Sequence, residues 1–448
     1  MRYVPSVINL MTSGLSVFRA VWPAAAAARS LRCLALVLAF GSLPLYAHCQ
    51  PLEGLIAAAL NDHPATQSAR SQQAAAHAGL AGARWQYWPT PSVLVEGAGT
   101  SATDGAYQGD QRVATLRLQQ PLWTGGRLAA GLSRAEAGLA YSQASLDEVR
   151  QQLALRVVQA YGDWLAAQLK AASHQKSRAV HEELQTRVKR RVEQGMSAES
   201  DLVLTDVRLQ SLAADLSVAQ LQQDTALARL GQLIGRPVQG SELAIAAPRA
   251  IDKAWLSNLE AVLSAQPAVQ KAQAQVSLQD AALAERRADL SPEVYLRAER
   301  QYGNYAIRNA APENRLFVGL SSRFGAGLST LSNVDAARAQ QQAALSDVQV
   351  QMRGVAEQLL ADHAQASSSA PRLAALQASL TSAQEVCLSY DRQFLAGRKS
   401  WLDVMNAQRE LAQTELALAD LQASQVLVTW RLALTTLGVQ TALAEGRP

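Results

Sequence analysis

The sequence has few aromatic residues and very few cysteines. Phe, Trp and Tyr together make up 5% of the 448 residues, which does not suit a thick aromatic core and favours thin layers of packed helices. The three cysteines are Cys33, Cys49 and Cys387, and more than 300 residues separate the last two. This is not the spacing of a disulfide framework.

Proline is absent from two long stretches, residues 122–236 and 372–447. Because proline disrupts helix interiors, both stretches can form long helices, and residues 127–194 alone would measure about 100 Å. Gly195 and Gly397 interrupt the stretches as the tips of helical hairpins would. We expect Pro371 to kink or break the long helix of the second half.

Acidic residues are absent from the start of the chain, where none precedes Glu53. Arg29 and Arg32 lie before a short apolar run, and Ala47 offers a small residue for cleavage. This pattern predicts a secretory signal peptide over residues 1–47, with Met1 and Met11 both left open as the start. A lipid anchor at Cys49 is an alternative form of processing.

The net charge of +4 comes from the leader, whose four arginines have no acidic counterpart. The mature chain is therefore near neutrality, which gives no support to nucleic-acid binding. After the leader, no segment has the roughly 18 consecutive apolar residues of a membrane helix. If this protein crosses a membrane after export, it must do so with strands.

An internal repeat of about 200 residues organises the chain. Residues 190–195 and Asp201 return as residues 392–397 and Asp403, 202 positions later. Such a period is too long for a solenoid and indicates one module that occurs twice. The predicted organisation is a first repeat over 51–240, a linker over 241–253 and a second repeat over 254–440.

Alternating apolar and polar residues predict two strands in each half. The four segments are residues 91–100, 112–120, 293–301 and 315–323. Their polar faces carry a charged set that suits a water-filled lumen, namely Glu96, Arg117, Arg297, Glu299 and Arg315. Four strands cannot span a bilayer as an open sheet, whereas three copies would supply twelve and leave a channel.

Aromatic residues occur next to the ends of the predicted strands, where the girdles of a membrane barrel belong. They are Trp85, Tyr87, Trp88, Trp123 and Phe324. The alternative is a soluble sandwich with these side chains at the edge of its core.

A coiled-coil seam follows the first predicted tip. Its residues recur at alternating three- and four-residue steps, and only Thr205 and Gln223 break the apolar series. The seam consists of Leu202, Leu209, Leu212, Leu216, Ala219, Ala226, Leu230 and Leu233.

Three motifs carry a family resemblance over nearly the whole mature chain. They are Asp62-His63-Pro64, the Gln-Pro-Leu-Trp-Thr-Gly-Gly-Arg segment at 120–127, and the second tip at 393–408. With them the chain resembles the TolC-like outer-membrane factor family, and its second tip is similar to the branch that serves type I protein secretion. Residues 322–327 depart from the pattern because they lack the proline of their first-half counterpart.

The resemblance implies an α+β membrane protein of the cell outer membrane. In this fold class three chains share a twelve-stranded β-barrel that continues into a long periplasmic barrel of helices. The implied function is the exit duct of a tripartite export system, in first place for type I secretion of a large adhesin- or RTX-like protein. The implied partners are a periplasmic adaptor, an inner-membrane ABC exporter or proton-driven pump, and outer-membrane lipid. A drug or metal efflux channel is the first alternative, and a soluble periplasmic coiled-coil adaptor is the second.

The resemblance also assigns roles to residues of the helix tips. Asp201, Asp403 and Asn406 match positions that ring the narrow periplasmic entrance, and Lys399 matches a basic residue that ties neighbouring hairpins shut, with Asp201 as its partner. For Asp201, a favourable interaction with the helix dipole is an equal alternative. The adaptor-contacting tips are Gly195, Met196, Gly397 and Arg398.

Other polar residues suggest no chemistry. Arg187, Lys189, Arg190 and Arg191 form a basic cluster before the first tip, which we interpret as a solvated face with a partner role as the alternative. His174 and His181 have no third ligand nearby and are expected to be solvated rather than to bind metal. No phosphate loop or nucleophile turn is present, so neither a cofactor nor an enzyme activity is expected.

Overall fold

The computed structural model describes residues 51–99, 105–250, 253–322 and 329–444. The predicted signal peptide, Cys49 and Phe324 lie outside the described residues, as does most of the segment that departs from the family pattern.

The two halves contain the same main elements in the same order. The elements of the first half are α1 (Leu52–Asp62), α2 (Pro64–Trp85), β1 (Thr90–Gly97), β2 (Arg112–Trp123), α3 (Arg127–Glu193) and α4 (Glu199–Ile234). Those of the second half are α5 (Leu259–Ser264), α6 (Pro267–Ala288), β3 (Glu293–Tyr302), β4 (Glu313–Ser321), α7 (Ser329–Leu395), α8 (Trp401–Thr436) and a final short α9 (Val439–Ala444).

The four strands form one antiparallel sheet in the order β1-β2-β3-β4. All four predicted strands are present, with ends that differ by up to three residues. The largest extension is in β2, which continues past Gln120 to Trp123 through a register shift between Pro121 and Trp123. A bulge of this kind accommodates a proline that cannot donate to the ladder.

The register separates the two faces of the sheet. Arg117 lies opposite Glu299, and Glu299 lies opposite Arg315. Since opposed residues point to the same side, the whole predicted charged set, including Glu96 and Arg297, shares one face. The other face carries exposed aliphatic side chains, namely Val93, Val95, Leu116, Leu118, Leu316, Val318 and Leu320.

The main hydrophobic core lies where α1 packs against the long helices. It includes Leu55 of α1, Val157 and Tyr161 of α3, Leu230 of α4 and Leu434 of α8. All five side chains are at least 95% buried. This core fixes α1 to both hairpins.

The predicted seam of α4 faces its neighbours, and none of its eight residues is exposed. The two polar positions that interrupt it have polar partners. Thr205 accepts a hydrogen bond from Trp401 Nε1, and Gln223 donates to Gln168 Oε1. A buried polar group with a partner avoids the cost of lost hydration.

Pro371 does not break α7, so of the two predicted outcomes, a kink or a break, the break is wrong. The helix is continuous from Ser329 to Leu395 with this proline in its interior. The preceding serines fold their hydroxyls back onto the helix: Ser367 Oγ donates to His363 O at 2.6 Å and Ser369 Oγ to Ala366 O at 2.6 Å. Neither bond replaces the one that Pro371 cannot donate, which in a regular helix would go to the carbonyl of Ser367.

Among the helices in the described ranges, none combines the length and the apolar character that crossing a membrane requires.

Candidate functional site

The two hairpin tips share one backbone geometry. Gly195 and Gly397 both have φ of +73°, in the left-handed region where a side chain would be strained. The following amides bond back to the helix: Met196 N donates to Arg191 O and Arg398 N donates to Gln393 O, each at 2.8 Å. These bonds end both long helices in the same way, and they leave Met196 and Arg398 exposed.

The second hairpin restarts with a complete capping box. Ser400 Oγ accepts from Asp403 N at 3.1 Å, and Asp403 Oδ2 accepts from Ser400 N at 3.1 Å and from Ser400 Oγ at 2.8 Å. The hydrogen bonds from Ser400, together with the positive charge of Lys399, lower the pKa of Asp403. The Asp403 carboxylate therefore has a defined capping role at the start of α8.

The first hairpin lacks this cap. Its N-cap is Ala198, which has no side-chain acceptor, and Asp201 lies in the first turn of α4. The Asp201 carbonyl accepts a hydrogen bond from Thr205 Oγ1 at 2.7 Å. A carboxylate in this turn still interacts favourably with the helix dipole. A purely structural role at the start of a helix is therefore better defined for Asp403 than for Asp201. The sequence indicates the reverse, because it suggests such a role only for Asp201.

Lys399 lies against an aromatic ring. Its Nζ is 4.4 Å from the ring centroid of Tyr390 on α7, a distance typical of a cation–π contact. Within the described part of the chain, it forms no salt bridge with Asp201. Asn406 is exposed on α8, one turn after Asp403 and on the same side of the helix.

A hydrophobic cluster joins the two hairpins close to their tips, and we call it the tip cluster. Its buried members are Leu184, Val188, Phe394, Trp401, Val404 and Met405. The rings of Phe394 and Trp401 are 5.1 Å apart between centroids, and Trp401 Nε1 donates to Thr205 Oγ1 at 3.1 Å. Sequence reasoning missed this contact, although Thr205 stood out as an interruption of the seam.

Half of the basic cluster before the first tip takes part in contacts within the chain. Arg187 bonds to Asp391 of α7 at 2.8 Å and to Glu183, and these acceptors raise its pKa. Arg191 lies over the ring of Phe394 at 4.7 Å. The interpretation as a solvated face fits Lys189 and Arg190, which are exposed.

His181 is buried rather than solvated, so that prediction is wrong. The residue is 5% exposed, and Nδ1 lies 2.8 Å from the carbonyl oxygen of Ser177. Burial lowers the pKa of His181, which favours the neutral imidazole. His174 is only partly covered. No group of three or more metal-ligating side chains occurs in the described ranges.

The charged face of the sheet is a network of ion pairs. Glu299 Oε1 accepts a hydrogen bond from Arg117 Nε at 2.6 Å and lies 3.0 Å from Arg297 Nε in a second ion pair. Arg315 pairs with Glu313 and donates to Gln301 at 3.3 Å. One carboxylate thus pairs with two arginines, and the face as a whole suits contact with water.

The predicted aromatic girdle is exposed where it is described. Trp85 is 69%, Trp88 63% and Trp123 51% exposed, and Tyr87 is also exposed. These side chains lie where helices meet strands, outside any core. Their exposure argues against the soluble sandwich and fits residues placed at a membrane interface.

Comparison with known proteins agrees with this geometry. Protein AprF of Pseudomonas aeruginosa, an alkaline protease secretion protein, is 27% identical over 329 residues, which are 69% of this chain and 66% of that protein. The chain thus spans just under two thirds of this curated relative.

Two solved structures share the fold. The outer membrane protein VceC of Vibrio cholerae superposes with a TM-score of 0.75 at 16% identity, over 86% of this chain and 96% of VceC. The outer membrane channel CmeC of Campylobacter jejuni gives a TM-score of 0.75 at 15% identity, over 87% and 86%. The predicted fold class is confirmed for the single chain, which has four strands in one sheet and two long helical hairpins.

The outer membrane efflux protein family matches residues 55–236 and 258–436, most of both halves. The match favours an outer-membrane channel protein over a soluble periplasmic adaptor. The chain belongs to the outer membrane efflux protein family, and its place is the cell outer membrane.

Proposed function

We propose that this protein is the outer-membrane exit duct of a tripartite export system. The observation that carries the proposal is the sheet, whose exposed aliphatic face and ion-paired opposite face meet lipid and water respectively. Such a sheet suits a wall between a bilayer and an aqueous lumen. The duct itself supplies no chemistry, and the energy for transport comes from an inner-membrane partner.

The duct is a homotrimer. In the four-stranded sheet, β1 and β4 are edge strands with one neighbour each within the chain. An open edge in hydrocarbon leaves backbone groups without partners. Pairing β4 of one chain with β1 of the next closes three sheets into twelve strands and satisfies these groups.

The periplasmic mouth is formed by the tips. Asp201, Asp403, Asn406 and Lys399 surround the constriction, and a periplasmic adaptor docks on the tips at Gly195, Met196, Gly397 and Arg398. The support for this is their position: all lie within nine residues of Gly195 or Gly397, and Met196 is 56% exposed. A flexible methionine side chain exposed at a tip is suited to a protein contact.

The cargo is a protein secreted by a type I system with an ABC exporter. This follows the similarity to AprF, which serves secretion of alkaline protease. Drug or metal efflux with a proton-driven pump is the competing function.

Replacement of AprF tests the proposal in cells. This protein, expressed in Pseudomonas aeruginosa without AprF, is expected to restore alkaline protease in the culture medium. The secretion function would be contradicted if the chain reached the outer membrane as a trimer but the protease stayed inside the cells. Lower sensitivity of these cells to drugs or metals would then favour efflux. Recovery in the soluble periplasmic fraction would contradict the duct itself.

Native mass spectrometry in detergent tests the assembly separately. Three copies of the chain are expected. A stable monomer that conducts ions in planar bilayers would rule out closure by three sheets, whatever the cargo.

A further inference from the structure

Arg300 is a charged residue on the aliphatic face of the sheet. In the register it lies between Leu116 of β2 and Asn314 of β4. Along β3, the preceding residues on this face are Val294, Leu296 and Ala298. Arg300 thus marks the point at which the apolar face of β3 becomes polar.

The guanidinium of Arg300 has no acidic partner among the described residues. Its Cζ lies 5.3 Å from the ring centroid of Tyr302, the next residue on the same face. The arginines of the opposite face differ, since Arg117 and Arg315 each form a salt bridge with a carboxylate. Arg300 is exposed, so its five donors are open to an external anion.

A shallow groove lies beside Arg300. It has a volume of about 630 Å³, and its walls include Val93, Leu116, Leu118, Ala298 and Leu316 as well as Arg300. In the register, Ala298 lies between Leu118 and Leu316. A methyl group between two leucines leaves a depression, which has the apolar lining that an acyl chain requires.

The position of Arg300 along the strand defines which leaflet it meets. It is two residues from the end of β3 at Tyr302, and the helices join the sheet at the opposite end. With the helical hairpins in the periplasm, as the proposed function has them, this end of the strand reaches the outer leaflet. The apolar stretch from Val294 to Arg300 covers about 20 Å along the strand.

We propose that Arg300 binds a phosphate group of a glycolipid of the outer leaflet, with an acyl chain of that lipid in the groove at Ala298. The inference rests on the membrane placement in the proposed function. An unpaired cation at the edge of a hydrocarbon layer is stabilised by a lipid phosphate, and the planar guanidinium offers two parallel donors to it. Asn314, exposed in the same row, adds a side-chain amide.

Assembly into a trimer does not cover this site. Arg300 lies on β3, which is paired on both sides by β2 and β4 of the same chain. A neighbouring chain pairs only with the edge strands. The three copies of the site therefore face lipid independently.

Lipid binding to the purified full-length protein tests the proposal. Native mass spectrometry counts the adducts formed with lipid A, a glycolipid with two phosphates, and with its dephosphorylated form. The parent is expected to prefer the phosphorylated lipid, and Arg300→Gln to weaken that binding about fivefold while affecting the dephosphorylated lipid little. Arg300→Lys keeps the charge but not the paired donors of the guanidinium. Its affinity for lipid A is expected to lie between those of the parent and of Arg300→Gln.

Two controls make the result specific. Arg353→Gln removes another exposed arginine, on helix α7, and is expected to match the parent. Ala298→Leu fills the groove and is expected to weaken the binding of both lipid A and its dephosphorylated form. Unchanged lipid A binding in Arg300→Gln would overturn the inference, as would displacement of lipid A by millimolar inorganic phosphate alone. If Arg300→Gln still forms conducting trimers, such a result leaves the proposed function intact.

Discussion

The indole of Trp401 in α8 donates a hydrogen bond to the hydroxyl of Thr205 in α4 at 3.1 Å. Trp401 is 3% exposed and Thr205 is fully buried. The bond joins the start of the second returning helix to the first one, inside the tip cluster. A polar side chain in the apolar seam of α4 is thus explained by a partner on the other hairpin.

Replacement of Thr205 is expected to loosen the tips. Thr205→Val keeps the shape but leaves the buried Trp401 N–H without its acceptor, at a cost of about 1–3 kcal/mol. Faster hydrogen exchange at residues 199–206 and 401–406 and a higher single-channel conductance are the expected results. Thr225→Val is the matched control, since Thr225 on the same helix bonds only to its own backbone and is exposed. Equal effects from both substitutions would count against a link between hairpins.

Asp403 is expected to act through its charge at the periplasmic mouth as well as through the cap. Asp403→Ala should lower cation selectivity and weaken block by divalent ions, because carboxylates crowded at a constriction concentrate the field. Ser400→Ala removes the two hydrogen bonds of the Ser400 hydroxyl but keeps the charge, so it should leave selectivity unchanged. Asp62→Ala, at the end of α1, serves as a distant control. Reversal potentials in planar bilayers give the answer, and an effect of Ser400→Ala as large as that of Asp403→Ala would assign Asp403 to helix capping alone.

Lys399→Ala is expected to raise conductance by freeing the second hairpin. If Asp201 of a neighbouring hairpin is the partner in the trimer, exchanging the charges of the two positions should restore the parent conductance. Tyr390→Leu tests the alternative, since Tyr390 is the contact of Lys399 within the chain. If Tyr390→Leu raises the conductance and exchange of the charges at positions 201 and 399 does not restore it, the effect of Lys399→Ala is due to the lost cation–π contact.

Glu299→Gln is expected to make the channel more selective for anions. This carboxylate pairs with both Arg117 and Arg297, so its neutralisation leaves two uncompensated positive charges on the face assigned to the lumen. The chloride-to-potassium permeability ratio should rise. Glu285→Gln, which removes a carboxylate of α6 paired with Arg134, is the control and should leave the ratio at the parent value.

The buried His181 is expected to make stability depend on pH. Because burial lowers its pKa below the ordinary 6.5, the unfolded chain takes up a proton at higher pH than the folded one. The stabilising contribution is present above pH 6.5 and is lost as the pH falls through the folded-state pKa. The melting temperature of the parent should therefore fall more between about pH 7.5 and about pH 5 than that of His181→Gln. His174→Gln, seven residues earlier and only partly buried, should follow the parent.

Periodicity alone predicted the strands and hairpins well. The charged set from Glu96 to Arg315 shares one face because a strand repeats every two residues and the four strands pair in a matching register. The tips were equally predictable from the sequence, because Gly195 and Gly397 are glycines within long stretches that lack proline.

Local rules failed where distant contacts decide. Pro371 would end an isolated helix, but α7 is held on both sides of it by packing, for example through the buried Leu359 and Cys387. His181 is buried because α3 meets other helices there, and its own sequence neighbours do not reveal this. The same holds for Thr205, whose partner lies 196 positions further along the chain.

The two glycine tips are alike in backbone, but only α8 begins with a capping box. In a threefold assembly the six tips would alternate around the mouth. Tips followed by a capped helix, α8, would lie between tips followed by an uncapped helix, α4. The ring would then have threefold rather than sixfold character at its edge. A partner built from six equal subunits would then contact two kinds of tip in alternation. Three of its subunits would bind a tip whose returning helix has a capping box, and the other three a tip whose returning helix lacks one.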